Sequence, residues 1–292
     1  MSTTETASPR YASIEDWSTA ELVDGMLEGQ FAAIAAVQAA SASIARAIDA
    51  MAERLGAGGR IIYLGAGTSG RVAAQDGAEL PPTFNWPYER AITLMAGGPG
   101  ALLKAVENAE DSPDAAALML DGIGVAANDV VIGIAASGST PYVVAGLIHA
   151  RTAGALTIGI INNAGGAVGK AAEIEILLAT GAEFLAGSTR MKAGTAQKAA
   201  LNALSTGAMI RLGYVYRGKM VEMRPTNAKL RERAELMVAE LSGAAPELAR
   251  RALAEADGVI KLATVMLMRS LDRAAAQAAL DAAGGNLRKA LQ

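Results

Sequence analysis

Two segments rich in glycine and hydroxyl side chains carry the clearest chemical signal in the sequence. GAGTSGR (65–71) follows a short apolar run and opens a helical stretch, and AASGSTPY (135–142) repeats that design further along. Glycine allows tight turning and close backbone approach, and the first N–H groups of a helix point outward at the positive end of its dipole. Gly67, Thr68 and Ser69 in one loop, and Ser137, Gly138, Ser139 and Thr140 in the other, supply these properties, while Pro141 suits a first helical turn. One such loop is as compatible with a structural turn as with a ligand site; two at neighbouring strand ends favour a ligand. Neither has the GxGxxG spacing of a dinucleotide site or the Gly-Lys-Ser/Thr ending of an ATP-binding loop. Hydroxyls without a lysine clamp or a metal-binding aspartate fit a phosphomonoester that is held rather than transferred.

Composition narrows the chemistry further. The 292 residues include no Cys and a single His, which excludes disulfides, cysteine-based zinc sites and thiolate catalysis. His149, in GLIHARTAG (146–154), has no neighbouring His or Cys, so neither a metal nor a triad role is expected. The net charge of −3 argues against a strongly basic nucleic-acid binder. Neither a secretory leader nor a membrane-length apolar stretch is visible, so a cytoplasmic, membrane-free protein is expected.

The elements that must position these loops follow from periodicity. Residues 18–55 are Ala-rich, with Phe31, Ile34, Val37, Ile44 and Ile48 at helical spacing, and read as helix. Continuous apolar runs at 60–64, 91–95, 129–135, 156–161 and 174–178 are too short for helices and are separated by helix-length segments. That pattern predicts an α/β fold with a doubly wound, five-stranded parallel sheet in the order 2-1-3-4-5, which sets the first and third strands side by side at the switch point. Beyond residue 187 no strand is expected. Helices are predicted over 193–212 and 228–241, followed by three shorter ones that form a small C-terminal helical module. Three segments result: N-terminal helices (1–55), the α/β domain (56–225) and a C-terminal helical region (226–292). The methionines of KLATVMLMRS (261–270) read as core packing.

The two loops make the chain similar to the sugar isomerase (SIS) domain. Several longer segments resemble one SIS family in particular, the N-acetylmuramic acid 6-phosphate etherases: AELPPTF (78–84), VENAEDS (106–112), GSTRMKAGTAQK (187–198), LNALSTGAMI (201–210) and TNAKLRERA (226–234). The likeness runs over nearly the full length. Two departures stand out. Thr4, Glu5 and Pro9 keep the family's Thr-Glu-x-x-Asn-Pro pattern but Ser8 replaces the usual Asn, and Ser139 stands where relatives commonly carry Arg.

The resemblance implies cleavage of the lactyl ether at C3 of N-acetylmuramic acid 6-phosphate, giving N-acetylglucosamine 6-phosphate and D-lactate in cell-wall sugar recycling. Opening the sugar to its C1 aldehyde acidifies the C2 proton, so paired carboxylates suffice and no metal or organic cofactor is expected. By resemblance, Glu79, before the double proline Pro81–Pro82, is the proton donor, and Glu110 is the second acid/base. A stiff turn at the prolines is expected to direct Glu79. Ser188 is a candidate contact in the same segment; Arg190 and Lys192 either complement the substrate's phosphate or lactyl carboxylate or are ordinary surface cations, with Asp76 and Glu183 as lesser candidates. The resemblance also implies a homodimer that completes its sites across the interface. Two other readings use the same residues: a phosphosugar isomerase, which releases no lactate, and a non-catalytic phosphosugar-binding regulator. A regulator of that kind would ordinarily carry a basic DNA-binding extension, which is not seen here.

Overall fold

The computed structural model describes residues 2–292. Ser18 starts the first helix, α1 (Thr19–Ala39), with a capping box: the Glu21 N–H donates to the Ser18 hydroxyl, and the Ser18 N–H donates to the Glu21 carboxylate. The single helix expected over 18–55 is in fact two. The Ala40 N–H bonds back to Ala36 and Val37, and α2 (Ser41–Gly56) leaves at 59°. The small residues Gly25, Ala33 and Ala36 are the buried ones on α1, so Phe31 is 79% exposed and Ile34 also faces outward, against the expected apolar stripe. On α2 the stripe holds, with Ile44, Ala47, Met51 and Leu55 buried.

The predicted sheet is observed. Its strands are β1 (Ile61–Gly65), β2 (Ala91–Met95), β3 (Val130–Ala135), β4 (Leu156–Ile161) and β5 (Ile174–Leu177), all parallel in the order β2-β1-β3-β4-β5. Between them run α3 (Gly67–Phe84), α4 (Pro113–Gly122), α5 (Pro141–Thr152) and α6 (Ala167–Ala171). Every residue of β1, β3 and β4 is buried, because helices cover both faces. Ile62, Leu64 and Val131 pack with Leu120, Val143 and Leu147 from α4 and α5. The alternate residues face the other way, where the Tyr63 hydroxyl meets Asp76 of α3. Further along come α7 (Lys192–Leu212), the hairpin β6 (Val215–Tyr216) and β7 (Lys219–Met220), then α8 (Ala228–Ser242), α9 (Pro246–Glu255), α10 (Ile260–Arg269), α11 (Arg273–Ala282) and α12 (Leu287–Ala290).

The β6–β7 hairpin corrects the expectation of no strand beyond 187. Its two-residue turn has positive φ at Arg217 and Gly218, and strands of two residues are too short to leave a period in the sequence. The four-residue α12 adds to the three short helices expected. Met266 is buried in the core of these helices, whereas Met268 is exposed. By contacts the chain falls into two compact units: residues 1–78 with 88–207, and residues 79–87 with 208–292. The second is therefore discontinuous, and its buried Trp86 packs against Tyr214 with ring centroids 5.7 Å apart and the planes tilted by 58°. No single helix among the described residues is long and apolar enough to cross a membrane.

The beginnings of β1 and β3 are clamped by one ion pair. Asp129 accepts from the Arg60 N–H (3.0 Å), from its Nε (3.0 Å) and Nη2 (2.6 Å), and from the Ala126 N–H (2.9 Å). Burial alone raises the pKa of Asp129, but the bonds donated by Arg60 and Ala126 outweigh it and hold the carboxyl below its ordinary value. A lowered folded-state pKa contributes stability above the unfolded value and loses it as pH falls through the folded one. Asp129→Asn should therefore cost about 1–2 kcal/mol at neutral pH, and the gap from the parent chain should close below about pH 4. Denaturant unfolding at several pH values measures both.

Candidate active site

Parallel pairing brings Gly65 level with Ile134, so the loops leaving β1 and β3 are neighbours. The first loop runs straight into α3. A Cβ on Gly65 would lie 2.9 Å from the Gly70 Cα, so this strand and helix approach as closely as they do only because both residues are glycine. The second loop enters α5 through Thr140 with Pro141 in the first turn, as expected. Two helix N-termini, with their unpaired first-turn N–H groups, thus open at one place.

Between the loops lies a cavity of 240 Å³. Thr68 and Ser69 line it from the first loop, Ser137 and Thr140 from the second, with Glu110, Glu5 and Thr189 completing its polar wall. The hydroxyls of Ser137 and Thr140 are 3.5 Å apart. Neither lysine nor arginine lines this cavity, so any donors it offers an anion are N–H groups and hydroxyls. An adjoining recess of 210 Å³ shares Ala66, Gly67 and Glu110. Glu110 thus borders both, in the 3-10 turn Ala109–Asp111.

The other residues singled out from sequence lie elsewhere. Gly138 faces away, its carbonyl accepting from the Val168 N–H at 2.9 Å, and Ser139 is exposed with its N–H on the Ser137 hydroxyl at 3.2 Å. Ser188, Arg190 and Lys192 belong to the turn entering α7 and do not line the cavity, although their neighbour Thr189 does. Glu79 is exposed on α3 and falls in the second compact unit. The turn expected at Pro81–Pro82 is not there, since both prolines lie within α3. Each proline lacks the N–H that would bond the carbonyl four residues earlier, at Gly77 or Ala78, so the helix carries both in its last turns at the cost of those two bonds.

Asp76 and Glu183 are supports for the site. Asp76 is buried and accepts from the Tyr63 hydroxyl (2.7 Å), Asn202 (2.7 Å) and Ser205 (3.2 Å), tying β1, α3 and α7 together. Burial, reinforced by the Asp76 charge, pushes the Tyr63 hydroxyl well above its ordinary pKa and keeps it a donor. Glu183, also buried, accepts from the Lys192 (3.1 Å) and Ala193 (2.9 Å) N–H groups and fixes the first turn of α7. Its burial raises its pKa despite those bonds. His149 lies 2.7 Å from the Asp121 carboxylate, a pair remote from the cavity. No group of three or more His, Asp or Glu that could hold a metal occurs among the described residues.

Glu5 was missed as a site residue because what brings it here is remote in sequence. Asn163, after β4, donates to the Thr4 hydroxyl (2.9 Å) and the Ala136 carbonyl (2.8 Å), and accepts from the Thr3 hydroxyl (2.7 Å) and the Thr4 N–H (3.3 Å). The Thr4 carbonyl in turn accepts from the Gly187 N–H at 2.9 Å. The conspicuous signal was the Thr-Glu pair itself, without any local reason for it.

A doubly wound parallel sheet with a hydroxyl-lined cavity at its switch point defines a SIS-type domain. Residues 43–151 match the glucokinase regulatory protein N-terminal SIS domain, and residues 105–207 match the SIS domain. The chain is 45% identical over 288 residues to an N-acetylmuramic acid 6-phosphate etherase of Deinococcus radiodurans, covering 99% of this chain and 94% of that one. It is 46% identical to that of Mycolicibacterium smegmatis, covering 99% and 97%. The chain belongs to the N-acetylmuramic acid 6-phosphate etherase family. Among solved structures, a phosphoheptose isomerase from Francisella tularensis aligns with a TM-score of 0.49 at 20% identity, over 67% of this chain and 98% of that one.

Releasing residues 2–6 should expose the Gly187 amide. Asn163→Ala is expected to speed hydrogen exchange at Gly187 and Thr4 about tenfold or more, with the sheet amides of β1 and β3 unchanged.

Proposed function

We propose that this chain is a lyase that cleaves the C3 lactyl ether of N-acetylmuramic acid 6-phosphate to N-acetylglucosamine 6-phosphate and D-lactate. Family membership over nearly the whole chain carries the reading, and the switch-point cavity is where the chemistry is assigned. The phosphate is held by Thr68, Ser69, Ser137 and Thr140 with the N-termini of α3 and α5; hydroxyl and N–H donors offset its charge without a cation. Ser139, in place of the arginine common among relatives, leaves that task to the neutral donors.

Elimination begins from the open-chain sugar. A carboxylate takes the C2 proton, made acidic by the C1 aldehyde, and electrons from the C2–H bond form a C2–C3 double bond as the C3–O bond breaks. An acid protonates the departing lactate oxygen, and water then adds at C3 while C2 regains a proton. Glu79 is assigned as proton donor and Glu110 as the second acid/base. The reaction is assigned to the cytoplasm, where a phosphorylated sugar is retained.

A homodimer completing the site across its interface belongs to this reading. Two observations support it: Glu79 does not line the cavity of its own chain, and α1 exposes Val23, Leu27, Phe31 and Ile34 at helical spacing.

The first test is D-lactate release from N-acetylmuramic acid 6-phosphate by the purified chain; folded protein that releases none is not an etherase. Glu79→Ala and Glu110→Ala should each lower kcat at least a hundredfold while phosphosugar binding survives. Ser69→Ala and Ser137→Ala should instead raise KM about tenfold. Mixing the inactive Glu79→Ala and Glu110→Ala chains tests the shared site. Mixed dimers regain one intact site and measurable turnover if the two glutamates come from different subunits, and none if both come from one.

A further inference from the structure

Glu110 is one of two carboxylates in the cavity, and the second has so far been given no task. Glu5 lines the same wall as Ser137, Thr140 and Thr189. Glu5 is exposed, and among the described residues its carboxylate has no hydrogen-bonding or ion-pairing partner. The backbone that carries it is nevertheless tethered. Thr4 is fully buried, its side chain, N–H and carbonyl are all engaged, and Asn163 directs all four of its bonds to Thr3, Thr4 and Ala136. Ala136 itself lines the cavity, so the tether fixes Glu5 to the loop that helps build the site. The opposite side is relieved as well. Gly187 has φ +76°, and a Cβ there would lie 2.7 Å from Oε2 of Glu5, so a missing side chain leaves room for this carboxylate.

An exposed carboxylate that lines the cavity from a tethered backbone, with room kept for it at Gly187, is accessible to a ligand bound there. We infer that Glu5 contacts the bound phosphosugar, accepting a hydrogen bond from a neutral donor, a sugar hydroxyl or the acetamido N–H. This rests on the phosphosugar reading given above. The charge decides which part of the substrate Glu5 meets. A carboxylate repels the phosphate and the lactyl carboxylate alike, so it gains only from O–H and N–H groups of the sugar. Glu5 therefore recognises the sugar while the two loops recognise the phosphate, and it disfavours phosphate esters without a donor at that position.

Calorimetric titration with two probes separates these roles. Glu5→Ala should weaken binding of N-acetylglucosamine 6-phosphate about tenfold or more, the loss of one charge-assisted hydrogen bond. Inorganic phosphate, which needs only the loops, should bind as tightly as before or more tightly once the negative charge is gone. The isosteric Glu5→Gln, which keeps one acceptor oxygen, should lose less sugar affinity than Glu5→Ala. Both variants should melt with the parent chain, and in turnover KM should rise while kcat holds. Equal loss for both probes would make Glu5 a structural support of the loops, and no loss for either would remove it from the site; each result overturns the inference. Failure of the underlying reading looks different, because the unsubstituted chain then binds no phosphosugar. An absence of lactate with Glu5-dependent sugar binding intact would discard the etherase chemistry alone.

Discussion

Parallel pairing of β1 with β3, in register from Ile61↔Val130 to Gly65↔Ile134, is the constraint on which the site depends. The two strands are far apart in the chain and become neighbours only because β2 is sent to the sheet's edge. Each ends in a loop that opens a helix, and side-by-side strands bring the two helix N-termini to one cavity. The Arg60–Asp129 clamp holds the opposite end of the same pair, so a slip in register would break the three bonds from Arg60 to Asp129 and misplace both loops together. Buried aliphatic side chains on both faces leave the strands no alternative exposure.

Electrostatics here is local. The chain carries a net charge of −3, and no cation lines the cavity, yet an anionic ligand is the one its donors suit. Helix N-termini and hydroxyls act over a few ångströms, and their effect survives in an acidic protein because it does not rely on the long-range field. Under the proposed reading Glu5 then discriminates within the ligand, with the anionic end on the loops and a hydrogen-bond donor on Glu5.

Those parts of the fold written in local pattern were legible in the sequence. The five strands fall within a residue or so of the apolar runs, and Ser69, Ser137 and Thr140 line the cavity as hydroxyl-rich loops at strand ends predict. Illegible features depend on pairings across the chain or on signals that cancel. The break at Ala40 sits in an Ala-rich stretch with no glycine or proline beside it, so periodicity runs straight through. The double proline reads as a helix stop, but α3 carries it to Phe84. Glu5 reaches the cavity through Asn163, and nothing near either residue announces the bond.

The discontinuity of the second compact unit bears on how the chain can be dissected. A fragment ending at residue 207 would keep the sheet, both loops and α1 through α6, and would look like a natural cut. It would also strand residues 79–87, leaving the indole of Trp86 without Tyr214 and exposing apolar surface in the middle of an otherwise complete fragment. The complementary piece, 208–292, would fold around a gap where that indole belongs. Separating the two units therefore takes cuts on both sides of residues 79–87 as well as one at 207.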